Sequence, residues 1–498
     1  MRLPLAIVLF LTYSISCFAA PLSVAERTRL AMNRLGFGPR PNEIKSVSAG
    51  GEKALQKWIN LQLTPEKIPD TELETRLAKH PVLNLSIEEL QAAYSKEGAE
   101  DNPLMKPDEI RKAWASAKVI RAVESQKQFQ EKLVDFWFNH FNVDQRKGKL
   151  RWSFGAFERD AIRPHLFGKF SDLLRATARH PAMLFYLDNH LSRGDKKKGQ
   201  GLNENYAREL MELHTLGVNG GYTQDDVREV ARILTGWSIA NLNEQPVFEF
   251  KTKLHDDGEK KVMTWAFPAG QGEAEGERLL VELARHPATA KRIATLLAEN
   301  FVSDLAPKSL VDRLTKKYLQ TDGDLKSLYR LLIDSPEFWD RKYVGSKIKD
   351  HFSWTVSAIR ELDGEVLWQN QFVNELNKFG EPLYQCAPPT GYTHRPEDLI
   401  NSGVLVSRLN MALKLAANRI DGVYVTVPKP TSNLNTEKQV ITFLQTQLGI
   451  LKLSKSTTDA LISELHQENW KMSQGQMRPF ILARLVGLLL ASPEFQRM

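Results

Sequence analysis

The chain has 498 residues, with 67 basic and 60 acidic side chains and a net charge of +7. This small excess on a mixed surface argues against nucleic-acid binding, which usually needs a concentrated basic patch. Only Cys17 and Cys386 are present, so Cys-based zinc and haem-attachment motifs are excluded. Stability must come from burial, for which this length gives ample scope.

The first residues predict a signal peptide. Arg2 precedes an apolar run over residues 3–11, and small residues follow up to Ala19 and Ala20. This order is typical of secretory signals, and the run is short for a transmembrane helix. We therefore expect residues 1–19 to be removed, leaving a periplasmic or secreted protein with no transmembrane segment. A lipoprotein anchored at Cys17 is the less favoured alternative, because Ser14 stands where Leu is usual.

The rest of the chain is predicted to be a mainly α, multi-helix globular protein. Apolar residues recur at spacings of three and four nearly throughout, as amphipathic helices require. We expect an N-terminal helical region over 20–265 and a C-terminal one over 279–498. Residues 266–278, rich in Pro, Gly and Glu, form a soft boundary, and one continuous domain is the alternative.

Two short repeats and one β segment punctuate this helical pattern. Residues 178–182 and 284–288 share the sequence Ala-Arg-His-Pro-Ala, and Pro at the first helical position predicts a helix start at each. One short β-hairpin is expected near residues 247–265. There, segments 247–250 and 261–265 flank an Asp257-Gly258 turn.

The block over residues 203–237 carries the densest chemistry. It predicts a helix, a Gly-rich turn and a second amphipathic helix. On a helical wheel Asn205, Glu209 and Glu212 share one stripe, whereas His214 lies on the apolar side. The functional interpretation has both glutamates binding a metal or moving protons. The alternative is a solvated acidic stripe beside a buried, hydrogen-bonded histidine.

A second histidine has the same placement in its helix. His140 follows a run of aromatic residues and lies on their side of the predicted helix. Two inward histidines that meet, together with one carboxylate, would form a divalent metal site. The predicted metal ligands are therefore His140, His214 and Glu209. The alternative is that each histidine binds a separate backbone carbonyl.

A third cluster lies in the predicted hairpin loop. His255 and Asp256 directly precede Asp257-Gly258, and a loop can carry such residues into a cleft. With Asn205 and Arg208 they are the candidate substrate-binding residues. The alternative is a solvated turn. No GxSxG, HExxH or P-loop pattern is present.

These motifs resemble a known family. The block from residue 203 to 237 is similar to the signature of the bacterial family catalogued as domain of unknown function 1800. Further similarities lie at residues 34–39, 137–141, 180–183, around His255, and at 382–392. One departure is Phe138, where a small or polar residue is expected. The resemblance implies an exported, mostly helical protein, often encoded beside a second family related in fold to sulfatases and phosphatases. It implies no reaction.

Two functional hypotheses follow. The first is an exported enzyme with a buried His/Glu site and a divalent metal, in which Glu209, Glu212 and His214 are catalytic. Arg208 and His255 would contact an anionic substrate. The alternative is a non-catalytic envelope protein that binds or matures a partner, the sulfatase- or phosphatase-like protein encoded nearby.

Overall fold

A computed structural model describes residues 21–94, 107–194, 201–242, 245–368, 372–430, 434–467 and 477–498. The predicted signal peptide and Cys17 lie outside these residues. Within them, no helix combines the length and apolar character needed to cross a membrane.

The predicted mainly α architecture is confirmed, with 24 α-helices in the described part of the chain. Those in the first half are Val24–Arg34, Glu43–Ala49, Gly51–Gln62, Thr71–Ala78, Ile87–Tyr94, Pro107–Glu124, Gln128–His140, Leu150–Ala156, Phe170–Arg179, Pro181–Tyr186, Asn205–Glu209 and Gln224–Ile233. Those in the second half are Glu273–Arg285, Pro287–Phe301, Lys308–Gln320, Leu325–Asp334, Pro336–Trp339, His351–Glu361, Phe372–Asn377, Pro396–Leu399, Ser402–Ala416, Glu437–Gln447, Lys455–Gln467 and Pro479–Leu490.

Shorter helical segments connect them. The π-helical segments are Phe157–Ile162 and Leu210–His214. The 3₁₀ segments are Pro65–Lys67, Pro81–Leu83, Arg163–His165, Asn189–Leu191, Thr252–Leu254 and Arg341–Tyr343.

The β structure consists of three antiparallel pairs of short strands. These pairs are Trp237–Ala240 with Val247–Phe250, Lys260–Val262 with Trp265–Phe267, and Glu365–Val366 with Val423–Tyr424. Short strands near residues 247–265 are thus confirmed, but the predicted pairing of 247–250 with 261–265 is wrong. Arg232 binds both carboxylate oxygens of Asp256. The Asp257-Gly258 segment is therefore tied to a helix instead of turning a hairpin.

Both repeated segments start helices, as predicted. The imidazole Nδ1 of His180 accepts the backbone N–H of Ala182 at 3.1 Å, and Nδ1 of His286 accepts that of Ala288 at 3.1 Å. Each histidine therefore satisfies one of the N–H groups that a helix start leaves unpaired.

Buried hydrophobic side chains from Ala31 to Phe495 form one continuous cluster. Trp137 lies deep within it, with Nε1 donating to the Tyr329 hydroxyl at 2.9 Å. Helices on both sides of residues 266–278, Gln224–Ile233 before them and Pro287–Phe301 after them, contribute to this cluster. The division at 266–278 stays a prediction.

Candidate functional site

The signature block begins as an α-helix and continues as a π-helix. Asn205–Glu209 is α-helical and Leu210–His214 is π-helical. The wider turn buries Met211 and His214 and leaves Glu209 and Glu212 partly exposed. Short π-helical segments occur frequently at functional sites.

His214 is buried, as its place on the apolar side predicted. Its side chain packs against Phe141, with ring centroids 5.1 Å apart, and the residue is 1% exposed. Its Nε2 atom has no hydrogen-bond partner among the described residues. Burial, reinforced by the charge of Arg292, lowers the pKa of His214 to about 3. The ring is therefore neutral at pH 7.

His140 contacts the backbone carbonyl of His214 and does not form a hydrogen bond with its imidazole ring. The Nε2 atom of His140 lies 3.2 Å from the carbonyl oxygen of His214, and the ring centroids are 6.2 Å apart. Because a carbonyl only accepts, Nε2 carries the hydrogen and Nδ1 presents its lone pair. Burial, followed by the electrostatic interactions with His214 and Arg292, lowers the pKa of His140 well below its ordinary value, against the opposing effect of the hydrogen bond to the His214 carbonyl.

The predicted metal ligands do not form a recognisable metal site among the described residues. The described residues contain no group of three or more His, Cys, Asp or Glu side chains placed to hold a metal ion. The Nε2 atom of His140 is used by a carbonyl, and the charges acting on Glu209 come from Glu212 and Arg208. This geometry gives the His140, His214 and Glu209 ligand set no support.

The two glutamates are partly buried and unpaired. Burial raises the pKa of Glu209, the negative charge of Glu212 raises it further, and Arg208 opposes both effects. Neither carboxylate forms a hydrogen bond or ion pair with another described residue. Burial and the charge of Glu212 also raise the pKa of Tyr222. This group of side chains therefore has unused hydrogen-bonding capacity.

Arg292, on helix Pro287–Phe301, completes the group. Its Nε donates to the carbonyl oxygen of Leu213 at 3.1 Å, and it has no carboxylate within 4 Å in the described part of the chain. Burial lowers its pKa, whereas Glu299 and Glu212 raise it. Sequence reasoning missed Arg292, since nothing in its local sequence links it to a helix 79 residues earlier. The His140 site is defined as His140, Glu209, Glu212, His214, Tyr222 and Arg292.

Asn205 and Arg208 hold the signature helix in place. The side-chain amide of Asn205 donates to the carbonyl oxygen of Leu187 at 3.2 Å. Arg208 donates to Glu204 at 3.3 Å and to Gln224 at 2.9 Å. These contacts connect the start of the helix to its surroundings.

His255 and Asp256 lie in a different, internally paired group. The Nδ1 atom of His255 donates to the carbonyl oxygen of Thr235 at 2.8 Å, and its Nε2 lies 3.6 Å from Glu275. Lys260 binds Glu275 at 2.6 Å. The His255 network is defined as Arg232, His255, Asp256, Lys260 and Glu275. No hydrogen bond, ion pair or ring contact joins it to the His140 site among the described residues.

Two of the family-like motifs, residues 137–141 and 382–392, are in contact beside the His140 site. Asn139 donates to the carbonyl oxygen of Tyr392 at 3.0 Å and accepts its backbone N–H at 2.8 Å. Gly391 has φ +73°, and a Cβ there would collide with the Asn139 backbone, so only glycine fits. Phe138 is 5% exposed and packs edge-on against Tyr384. This departure from the family pattern therefore belongs to the core and leaves the site polar.

A family model described as "Protein of unknown function (DUF1800)" matches residues 30–497. No curated protein and no solved structure matches the chain. The match spans nearly the whole sequence and includes every motif of the His140 site. The chain therefore belongs to the DUF1800 family.

Proposed function

We propose that this chain is an exported enzyme that hydrolyses glycosidic bonds at the His140 site. Glu209 is the general acid and Glu212 the second carboxylate. The observation that carries the proposal is the unpaired, partly buried state of both glutamates. Burying charge without a partner costs free energy, and groups with shifted pKa values, such as Glu209, are concentrated at functional sites.

The donors and acceptors of the site favour a neutral, hydroxyl-rich substrate. Among the described residues, the charge of Arg208 acts on Glu209 and the charge of Arg292 interacts with Glu212, so no excess positive charge favours an anion. Arg208 and His255, the residues predicted to contact an anionic substrate, are engaged elsewhere. A mixture of acceptors and donors matches sugar hydroxyls, which both donate and accept.

The chemistry follows from the two carboxylates. The raised pKa keeps a fraction of Glu209 protonated above the ordinary range of a glutamate, so it donates a proton to the leaving oxygen. Glu212 stabilises the positive charge that develops on the sugar as the glycosidic C–O bond breaks. A water molecule then adds to that carbon, and the proton it releases returns to Glu209. Arg292 and Tyr222 donate hydrogen bonds to the substrate, and Nδ1 of His140 accepts one.

Export is part of the proposal. The charge, apolar run and small residues of segment 1–19 support a cleaved signal peptide. The mature chain would then act in the periplasm or outside the cell, where glycans are abundant substrates.

Turnover of a panel of 4-nitrophenyl glycosides tests this function. Glu209→Gln should lower kcat by about 100- to 10,000-fold, because it removes the transferable proton. Glu66→Gln, at an exposed glutamate without an ion pair, should leave kcat unchanged. Full activity in Glu209→Gln would contradict the assignment. So would the absence of both turnover and sugar binding in saturation-transfer NMR of the mature protein.

A partner-binding function is the second candidate. Leu405 and Val406 are 39% and 57% exposed on helix Ser402–Ala416, and adjacent exposed apolar side chains often mark interaction surfaces. The partner would be the sulfatase- or phosphatase-like protein encoded nearby. Co-purification should be lost in Leu405→Glu/Val406→Glu and kept in His140→Ala. Equal recovery with the double variant would contradict this surface.

A further inference from the structure

A second site lies away from the residues of the His140 site. A cavity of about 270 Å³ opens between helices Val24–Arg34 and His351–Glu361, the loop 448–452 and residues 494–498. Much of its wall is apolar, including Leu30, Val344, Ile450 and Phe495. A concave, mostly apolar cavity with a few polar groups is the usual form of a small-molecule site.

The polar end of the cavity holds two deeply buried ionisable side chains. Lys349 is 4% and Glu361 3% exposed. The Lys349 ammonium donates to the Ser357 hydroxyl at 2.8 Å and lies 4.2 Å from the centre of the Phe495 ring. An ammonium has three N–H donors, and this hydroxyl is the only hydrogen-bond acceptor it has among the described residues. Lys349 therefore retains donors for a ligand.

Arg29 extends the polar end. Its guanidinium lies 3.3 Å from a carboxylate oxygen of Glu361. The nearby Oδ1 atom of Asn33 is buried without a hydrogen-bond partner among the described residues. Gly449 lies against the guanidinium, and a side chain there would displace it. The loop is therefore built to leave room for this cation.

The charge of the lining favours an anion. Charged side chains of both signs line the cavity. The basic ones are Arg29, Lys349, Lys452 and Arg497, and the acidic ones are Glu361 and Glu494. Glu494 is already bound by the backbone N–H of Ser454 and the Thr457 hydroxyl. The lining therefore has four basic and two acidic side chains, and one of the two carboxylates is already held by neutral donors.

We propose that this cavity binds a small amphipathic monocarboxylate. Its carboxylate lies between Lys349 and Arg29, and its hydrocarbon part lies against Leu30 and Phe495. The apolar wall supplies affinity for the hydrocarbon, and the two cations select the anionic head group. This site is independent of the proposed glycosidase chemistry.

The cavity should bind this ligand best in acid. Burial lowers the pKa of Lys349 to about 7, and Glu361 opposes this shift. Burial raises the pKa of Glu361 to about 7, against the opposing charges of Arg29 and Lys349. Below pH 7 the lysine is charged and the glutamate neutral, and above pH 7 both states reverse. The cavity therefore becomes less positive as pH rises.

Further charges contribute to these shifts from neighbouring elements. Arg29, Arg408 and Lys132 also lower the pKa of Lys349. Arg360 lowers and Glu43 raises the pKa of Glu361.

Calorimetric titration of the full chain with hexanoate tests the proposal. Affinity should be at least about tenfold higher at pH 6 than at pH 8, because binding takes up a proton on Lys349 or Glu361. Affinity should rise about fourfold per added methylene from butanoate to hexanoate. 1-Hexanol should bind at least about tenfold more weakly, since it lacks the charge.

Variants locate the ligand. Lys349→Met and Arg29→Gln should each weaken hexanoate binding at least about tenfold, whereas Lys455→Met and Arg292→Gln should leave it unchanged. Undiminished binding in Lys349→Met would overturn the proposal, as would loss of binding in Arg292→Gln. If Lys349→Met does not fold, the number of protons that the unaltered protein takes up on binding hexanoate tests the proposal instead. Binding without proton uptake at pH 7, or no hexanoate binding at all, would also overturn it.

Discussion

The His140 site and the His255 network contain the same kinds of residue in opposite states. In the network, Lys260 and Glu275 pair at 2.6 Å with no exposed side-chain surface, and Arg232 binds Asp256 through two hydrogen bonds. One oxygen of Glu275 alone lacks a partner. In the His140 site both glutamates are unpaired, and Nε2 of His214 is buried without a partner.

This difference separates structural from functional use of the same chemistry. A paired buried network fixes the geometry of the chain around it, because breaking one partner leaves an uncompensated charge. Unpaired groups form no such constraint, and they stay available to a ligand. Residue type is therefore a weaker guide to function than the state of pairing.

The largest expected effect is in the network. Lys260→Met should lower the free energy of unfolding by about 3–5 kcal/mol, because it leaves Glu275 buried without its cation. Urea unfolding measures this loss. The exposed neighbour provides the control, and Lys261→Met should change stability by less than about 0.5 kcal/mol. A loss below about 1 kcal/mol in Lys260→Met would remove the network's structural role.

An intermediate effect is expected from His214 in acid. Its pKa is about 3 in the fold and 6.5 when exposed, so the folded state disfavours protonation. The stability that this provides is present above pH 6.5 and declines as pH falls. Between pH 7 and 4.5 the unaltered protein should lose about 2–3 kcal/mol through His214. Urea unfolding measures the free energy of unfolding at each pH. Its decline between pH 7 and 4.5, here called the acid slope, should be smaller by this amount in His214→Gln.

His466→Gln is the matched control, because that side chain is 64% exposed. It should keep the full acid slope of the unaltered protein. An unchanged slope in His214→Gln would show that His214 does not stay neutral and buried as the structure has it.

The smallest effect is expected at Glu209. Because the pKa of Glu209 is raised in the fold, ionising this side chain destabilises the folded protein. The destabilisation is complete above the folded pKa, and it disappears at a pH well below the ordinary pKa of a glutamate. Glu209→Gln should therefore raise the free energy of unfolding at pH 7 by up to about 0.5 kcal/mol, and leave it unchanged at pH 4. Chemical unfolding at both pH values checks this. A loss of stability at pH 7 would mean that Glu209 is paired.

Local patterns predicted a large part of this structure. Helix periodicity predicted the fold class, and the repeated His-Pro segments predicted the capped starts at His180 and His286. The inward position of His214 also followed from its helix face, whereas the sequence left open whether His214 meets His140. These features depend on contacts within one or two turns, or on a single apolar face.

Other features depend on tertiary contacts that no local pattern specifies. A helical wheel assumes a regular α-helix over the first part of the block at residues 203–237. The π-helical turn over Leu210–His214 instead rotates the residues after Glu209. Arg292 and Lys349 come from helices or loops distant in the chain, and Asp256, expected in a hairpin loop, binds Arg232 on a helix 24 residues earlier. These features were missed or wrong because packing decides them.

The pH dependence of kcat/KM for a 4-nitrophenyl glycoside tests the central claim most directly. The unaltered mature protein should lose activity as pH rises through the raised pKa of Glu209, because the acid form donates the proton. Glu209→Gln should be about 100- to 10,000-fold less active and should lack this alkaline limb. Identical profiles for the two proteins would contradict the assignment of Glu209, and with it the functional distinction between the His140 site and the His255 network.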